Sequence, residues 1–265
     1  GFLVTGILVP LICPIETPLW MLAVATAFSV IFVKEVFGGT GYNIFNVALV
    51  TRAFLFFAYP ASMSGDRAFI SASPICGIGG TVNFADGHSG GALQIHNIVG
   101  DPVSNWDAFL GLIPGSFGET STLCILIGAA LLLTTGIASW RIMLSVFAGG
   151  LLAGFVVNMF ATPTYPSSYL MPWQQLIYGG FAFAAVFMAT DPVTAARTGA
   201  GKYVYGLLVG IMAIVIRVYN NGYPEGAMLA VLLMNAFAPL IDYCVVQTNI
   251  NRRVNRLKTK AEKQS

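Results

Sequence analysis

Long apolar stretches follow one another through this chain, and no other feature constrains its fold as tightly. Leu19–Val36, Ser121–Ile137, Arg141–Phe160, Trp173–Thr190, Tyr203–Val218 and Met228–Val246 each approach the ~20 residues that a helix needs to cross a bilayer. Composition agrees, with 56% of residues hydrophobic and 9% charged, where soluble domains carry about 25% charged residues. Backbone in hydrocarbon must satisfy its own hydrogen bonds, so spanning segments of this kind are helical. The sequence therefore predicts an all-α polytopic membrane protein with the lipid bilayer as its first partner. Phe2–Pro14 and Asn43–Pro60 are apolar but short, and read as broken or half helices. Seven or eight membrane segments are expected in all.

Charge sets the orientation. Six of the thirteen basic residues, Arg252, Arg253, Arg256, Lys258, Lys260 and Lys263, follow Ile250, which puts the C-terminus in the cytoplasm. The stretch 61–107 has Arg67 against Asp66, Asp86, Asp101 and Asp107, and belongs on the opposite side. The expected organisation is a transmembrane helical domain over 1–249, with 61–106 as its non-cytoplasmic loop, and a basic cytoplasmic tail over 250–265. No nucleic-acid partner is expected. Cys13, Cys76, Cys124 and Cys244 show no C-x-x-C spacing, and His88 and His96 are isolated, so neither a metal site nor a disulfide framework is expected. No charged n-region precedes the first apolar run and Gly1 is not a natural start; the expectation is a chain that continues upstream and carries no cleavable leader here.

The most irregular segment is Lys34-Glu35-Val36-Phe37-Gly38-Gly39-Thr40-Gly41-Tyr42-Asn43-Ile44-Phe45-Asn46. Its glycines permit positive φ, and irregular backbone between spans survives where protein or a water-filled cavity satisfies it. Asn43 and Asn46 offer donors and acceptors suited to a polar ring system or a dehydrated ion; a plain capped loop explains the same letters. A loose echo recurs at Asp191–Lys202, where an acid, glycines and a base again end an apolar segment. Paired interruptions of this kind are a feature of channel and transporter cores.

Ionisable residues inside apolar stretches are functional candidates by default. Arg52 needs a partner, Glu35 or Asp66, unless it snorkels to the interface. Asp242, beside the helix-breaking Pro239, reads as functional; Glu119 reads as a helix cap, Asp191 as a cap or a site, and Glu35 as an interfacial pair with Lys34. Phe183 and Phe187 share one helix face at i, i+4, as core packing or as a hydrophobic constriction. In the long loop, Ala85-Asp86-Gly87-His88-Ser89-Gly90-Gly91-Ala92 has the glycine and hydroxyl content of an anion nest. No Walker A or G-x-G-x-x-G pattern is present, so no NADH site of the Rossmann type is expected.

Several blocks together carry a family resemblance: K-E-V-F-G-G-T-G-Y-N-I-F-N at Lys34–Asn46, R-A-F-L-F-F-A-Y-P-A at Arg52–Ala61, I-P-G-S at Ile113–Ser116, G-I-A-S-W-R at Gly136–Arg141, F-M-A-T-D-P-V at Phe187–Val193 and Y-P-E-G at Tyr223–Gly226. In these the chain resembles the B subunits of bacterial Na⁺-translocating NADH:quinone reductases, and more distantly the D subunits of ion-translocating ferredoxin:NAD⁺ reductases. The resemblance implies a urea-transporter-like helical channel whose N-terminal helices, with part of a quinone site, lie outside this sequence. It implies a translocase component in the inner membrane that carries covalent FMN and contacts riboflavin, with other subunits, quinone and Na⁺ as partners. Asn43 and Asn46 match family asparagines near riboflavin. Ile7, Leu11, Phe183 and Phe187 match a hydrophobic constriction, and Asp242 an acid linked to Na⁺ handling. One departure stands out. The family attaches FMN to the threonine of S-G-A-T, and this chain reads Ser89-Gly90-Gly91-Ala92 there. Alanine cannot form a phosphoester, which leaves a flavin held without a bond in that nest, attachment at Thr81 or Ser89, or an altered loop. A redox-free channel of the same fold, or a scaffold subunit that has lost its flavin, are the alternative readings.

Overall fold

The computed structural model describes residues 2–14, 17–63, 82–84, 93–95, 104–112, 116, 118–162, 165–220 and 226–262. Its body is helical. In chain order the helices are α1 (Phe2–Ile12), α2 (Leu19–Ser29), α3 (Val47–Ala58), α4 (Pro60–Met63), α5 (Asn105–Leu110), α6 (Thr122–Thr134), α7 (Trp140–Met159), α8 (Pro172–Ile177), α9 (Phe181–Phe183), α10 (Gly199–Tyr219) and α11 (Gly226–Glu262). Between α4 and α5 a short antiparallel hairpin pairs β1 (Val82–Phe84) with β2 (Leu93–Ile95), with Asn83 opposite Gln94. These strands flank residues 85–92.

Three described helices are long and apolar enough to cross a membrane: α7, α10 and the apolar part of α11. Three more, α1, α3 and α6, are apolar but shorter, so the expected spans resolve into full helices and half-length ones. The apolar exterior matches: Leu144, Leu152, Phe155, Val204 and Leu240 are exposed on the long helices. A bilayer solvates such side chains as readily as a protein core. One sequence expectation changes at α11. Pro239 does not end the helix, which runs on for 37 residues. Residues 250–262, the start of the basic tail, continue the same helix. Proline removes one backbone hydrogen bond, and the packing of α11 along α10 holds the helix together across that gap.

The most extensive packing joins α7 to α10. Lipid tails are as apolar as leucine, so helices in a membrane associate through close backbone approach, which small residues permit. Gly210 on α10 packs against the backbone of Gly149 and Gly150 on α7: a Cβ on Gly210 would lie 2.6 Å from the Gly150 nitrogen and collide with the Val146 carbonyl. Gly210→Leu is therefore expected to force the two helices apart at a cost of about 1–3 kcal/mol. A lowered midpoint of thermal unfolding in detergent checks this, and an unchanged midpoint contradicts it.

Candidate functional site

Two helices end in the same unusual way. Past Ser29, α2 widens into a π-helical turn over Val30–Glu35, and α9 does the same over Ala184–Met188. Such widened turns are rare and gather at functional sites. Beyond the first, Gly38, Gly39 and Gly41 adopt φ of 108°, 93° and 98°, values open to glycine and costly for residues with a Cβ. The chain then enters α3, whose N-cap is Asn46: its Oδ1 accepts from the Ala48 amide at 3.0 Å. The Nδ2 of Asn46 donates to Asp191 Oδ2 at 3.4 Å. The two echoing segments thus meet, one from each broken helix. Asp191 caps a turn rather than a helix, accepting from the Val193 amide and the Thr194 hydroxyl at 3.1 and 3.2 Å.

The turn after Asp191 is latched from the other side by Asp242 on α11. Its carboxylate accepts from the Arg197 amide at 2.8 Å, the Thr198 amide at 3.0 Å and the Thr198 hydroxyl at 2.5 Å. Thr198 is in turn the N-cap of α10. A carboxylate at a helix N-terminus, bonded to free amides, is favoured by the helix dipole. Between this latched turn, the glycine segment and α11 lies a cavity of about 380 Å³, walled by Asn43, Ile44, Val193, Thr194, Asn235, Pro239 and Asp242 among others. That is within the ~300–1,000 Å³ usual for small-molecule sites.

Asn235 is 1% exposed in this wall. The Tyr205 hydroxyl donates to its Oδ1 at 2.7 Å, and its Nδ2 has no hydrogen-bond partner among the described residues. Asn43 also lines the cavity, with its Nδ2 donating to the Phe45 carbonyl at 3.0 Å. The arrangement suits a neutral, flat, partly polar ligand: apolar faces from Ile44, Val193 and Pro239, and amide groups at the edge. The wall also carries one base, Arg197, beside its one acid, Asp242. The isoalloxazine ring of riboflavin has this shape and polar edge, and these residues fit it.

A second polar cluster sits among the half helices. Arg52 on α3 is 1% exposed and donates through Nη1 to Glu119 Oε1, itself 1% exposed, in a buried ion pair. Arg217 on α10 places another positive charge near Glu119 and donates to the Gln175 carbonyl at 2.5 Å. This corrects three expectations at once. Arg52 pairs with Glu119 and not with Glu35, and it does not snorkel; Asp66 lies outside the described residues. Glu119 caps nothing; Ser121 is the N-cap of α6. A guanidinium buried in a membrane body requires a charge partner, and only tertiary packing brings residues 52 and 119 together. Glu35, by contrast, pairs with Lys34 at 3.8 Å at the surface.

Of the expected constriction, three members gather. Phe183 and Phe187 stack with centroids 4.9 Å apart. The Leu11 carbonyl accepts from the Gly118 amide at 2.9 Å, and a Cβ on Gly118 would come within 3.0 Å of both Leu11 and Phe183. Gly128 receives the tip of Phe187 in the same manner. Ile7 stands apart, 62% exposed on α1. Thr81, Ser89, Gly90, Gly91 and Ala92 lie outside the described residues. Among the described residues no cluster of His, Cys, Asp or Glu could hold a metal ion.

The sequence reading missed Asn235 and Gly128. Asn235 carried a legible signal, an amide in an apolar helix four residues before a proline. Gly128 carried none.

Comparison with known proteins agrees with this architecture. Over residues 1–251 the chain matches the family model described as NQR2, RnfD, RnfE. It is 51% identical over 258 residues to the B subunit of the Na(+)-translocating NADH-quinone reductase of Klebsiella pneumoniae (strain 342), covering 97% of this chain and 62% of that protein. Identity to the corresponding B subunit from Chromohalobacter salexigens is 51% over 257 residues, 97% of this chain and 61% of that relative. With the one from Pseudomonas aeruginosa (strain LESB58) it is 50% over 257 residues, 97% of this chain and 62% of the relative. The chain thus spans about three fifths of the length of these relatives. It is a member of the NQR2, RnfD, RnfE family.

Proposed function

We propose that this chain is part of the flavin-carrying membrane subunit of a redox-driven Na⁺ pump, which passes electrons from NADH toward ubiquinone and exports Na⁺. The observation that carries the reading is the cavity between Asn43, Asn235 and Asp242, found in a chain half identical to the B subunits of Na⁺-translocating NADH-quinone reductases. The identity to those proteins favours this reading over a D subunit of a ferredoxin:NAD⁺ reductase. In this role the chain works with the other subunits of a complex in the inner membrane, with its basic C-terminal helix on the cytoplasmic side. Bound in the cavity, riboflavin would supply the capacity to accept and release electrons. The protein's own residues position it: Asn43 and Asn235 hold the polar edge, Asn46 ties the glycine segment to Asp191, and Asp242 keeps the 191–198 turn closed. FMN belongs to the loop around Ser89-Gly90-Gly91, with Thr81 or Ser89 as the attachment residue.

Two measurements test this. Purified complex is denatured and its released flavin separated by chromatography, and the intact mass of the denatured chain is taken. Riboflavin in the supernatant, with a chain heavier by one FMN less water and peptide mapping to Thr81 or Ser89, is the expected result. Absence of any flavin from an intact complex would leave a channel-like scaffold instead.

The ion path in this reading runs past Leu11, Phe183 and Phe187, with Asp242 on the same route. A constriction of rings excludes water when closed. Phe187→Ala, which opens space over Gly128, is expected to lower the Na⁺ gradient built per quinone reduced in vesicles. An unchanged ratio would return the ring pair to ordinary packing.

A further inference from the structure

We propose that Asn235 is a direct hydrogen-bonding residue for the flavin ring and that Tyr205 is the residue that orients it; this rests on the riboflavin reading of the cavity. The first observation is an unmet donor. Buried amide groups are almost always hydrogen-bonded, yet Asn235 Nδ2 has no partner among the described residues although the residue is 1% exposed. Its orientation is not free. Tyr205, fully buried, donates to Oδ1 at 2.7 Å and so commits the opposite end of the amide.

The helix is interrupted beside the same residue. Pro239 stands four positions along α11 and has no N–H, so the Asn235 carbonyl lacks the donor that an uninterrupted helix would provide. Asn235, Ala238, Pro239 and Asp242 all face the cavity. Asn235 therefore brings an unmet donor to this wall. The chemistry that satisfies it is a ring edge with a carbonyl that accepts from Nδ2. The pyrimidine side of the isoalloxazine ring is such an edge. An apolar occupant, a lipid chain for example, would leave Nδ2 unmet.

The test uses the intact complex with Asn235→Leu, Tyr205→Phe and Asn43→Ala. Riboflavin released on denaturation is measured per complex after extensive washing, together with the visible absorption band of the bound flavin. Asn235→Leu keeps the volume and removes both amide atoms, and is expected to weaken riboflavin retention about five- to tenfold, the loss of one good hydrogen bond. Tyr205→Phe removes one oxygen and leaves the packing. It is expected to weaken retention about two- to threefold, the loss of one indirect restraint, and to shift the band, which a merely structural tyrosine would not do. Should Asn235→Leu fail to assemble, Tyr205→Phe decides alone. Wild-type retention and an unshifted band in both variants, with riboflavin lost from Asn43→Ala, would overturn the role of Asn235 while the cavity reading stands. A wild-type complex that releases no riboflavin would overturn both.

Discussion

Glu119→Ala is expected to destabilise the protein by about 3–5 kcal/mol, the cost of leaving a buried charge without its partner. The pair it breaks is nearly solvent-free, with Arg52 and Glu119 each 1% exposed. Removing the carboxylate takes away the counter-charge of Arg52 and leaves Arg217 nearby as a second positive charge. The reverse change, Arg52→Met, is milder because Arg217 remains to oppose Glu119. The order of effects is therefore fixed by geometry: Glu119→Ala worse than Arg52→Met. The double variant Arg52→Met/Glu119→Leu recovers most of the loss, since well-packed apolar residues replace buried ion pairs at little net cost. Thermal unfolding in detergent and the yield of assembled complex measure all three. Equal midpoints for the single variants and the wild type would mean that the pair is not a fixed part of the fold.

Asp242→Ala should have the largest effect on activity. Three donors converge on this carboxylate, two of them backbone amides at the start of α10. Each hydrogen bond to a charged group is worth about 1.5–3 kcal/mol, so its loss frees the 191–198 turn that walls the cavity. Na⁺-coupled turnover is expected to fall more than about tenfold, the equivalent of losing one such bond, and riboflavin occupancy to fall with it. Asp242→Asn is no rescue, because an amide NH₂ would have to face an N–H donor on at least one side. A variant that keeps its riboflavin but needs far more Na⁺ would make Asp242 a direct ion ligand rather than a latch. Unchanged Na⁺ dependence with unchanged flavin would remove it from the site.

Asp242 also marks how far local chemistry can be read from the letters. A carboxylate next to a proline in an apolar segment is legible as functional, because its charge has to be compensated somewhere. That its compensation comes from residues 197 and 198 is a matter of how α11 lies against the start of α10. Asn46 is similar: the asparagine before an apolar run is a readable N-cap, and its bond to Asp191 across 145 positions is not.

What the sequence alone determined follows from local chemistry. Apolar length made the chain a helical membrane protein, and the glycines at 38, 39 and 41 set a turn that the structure realises with positive φ. The i, i+4 spacing put Phe183 and Phe187 on one face, where their rings stack. The tertiary structure decided the rest: Glu119 rather than Glu35 for Arg52, a helix that survives Pro239, and a cavity whose wall includes Asn235. Each of these depends on residues far apart in sequence, and a buried charge or amide declares that it needs a partner without declaring which. Only packing supplies the answer, because the partner is whichever group the folded helices bring within hydrogen-bonding distance.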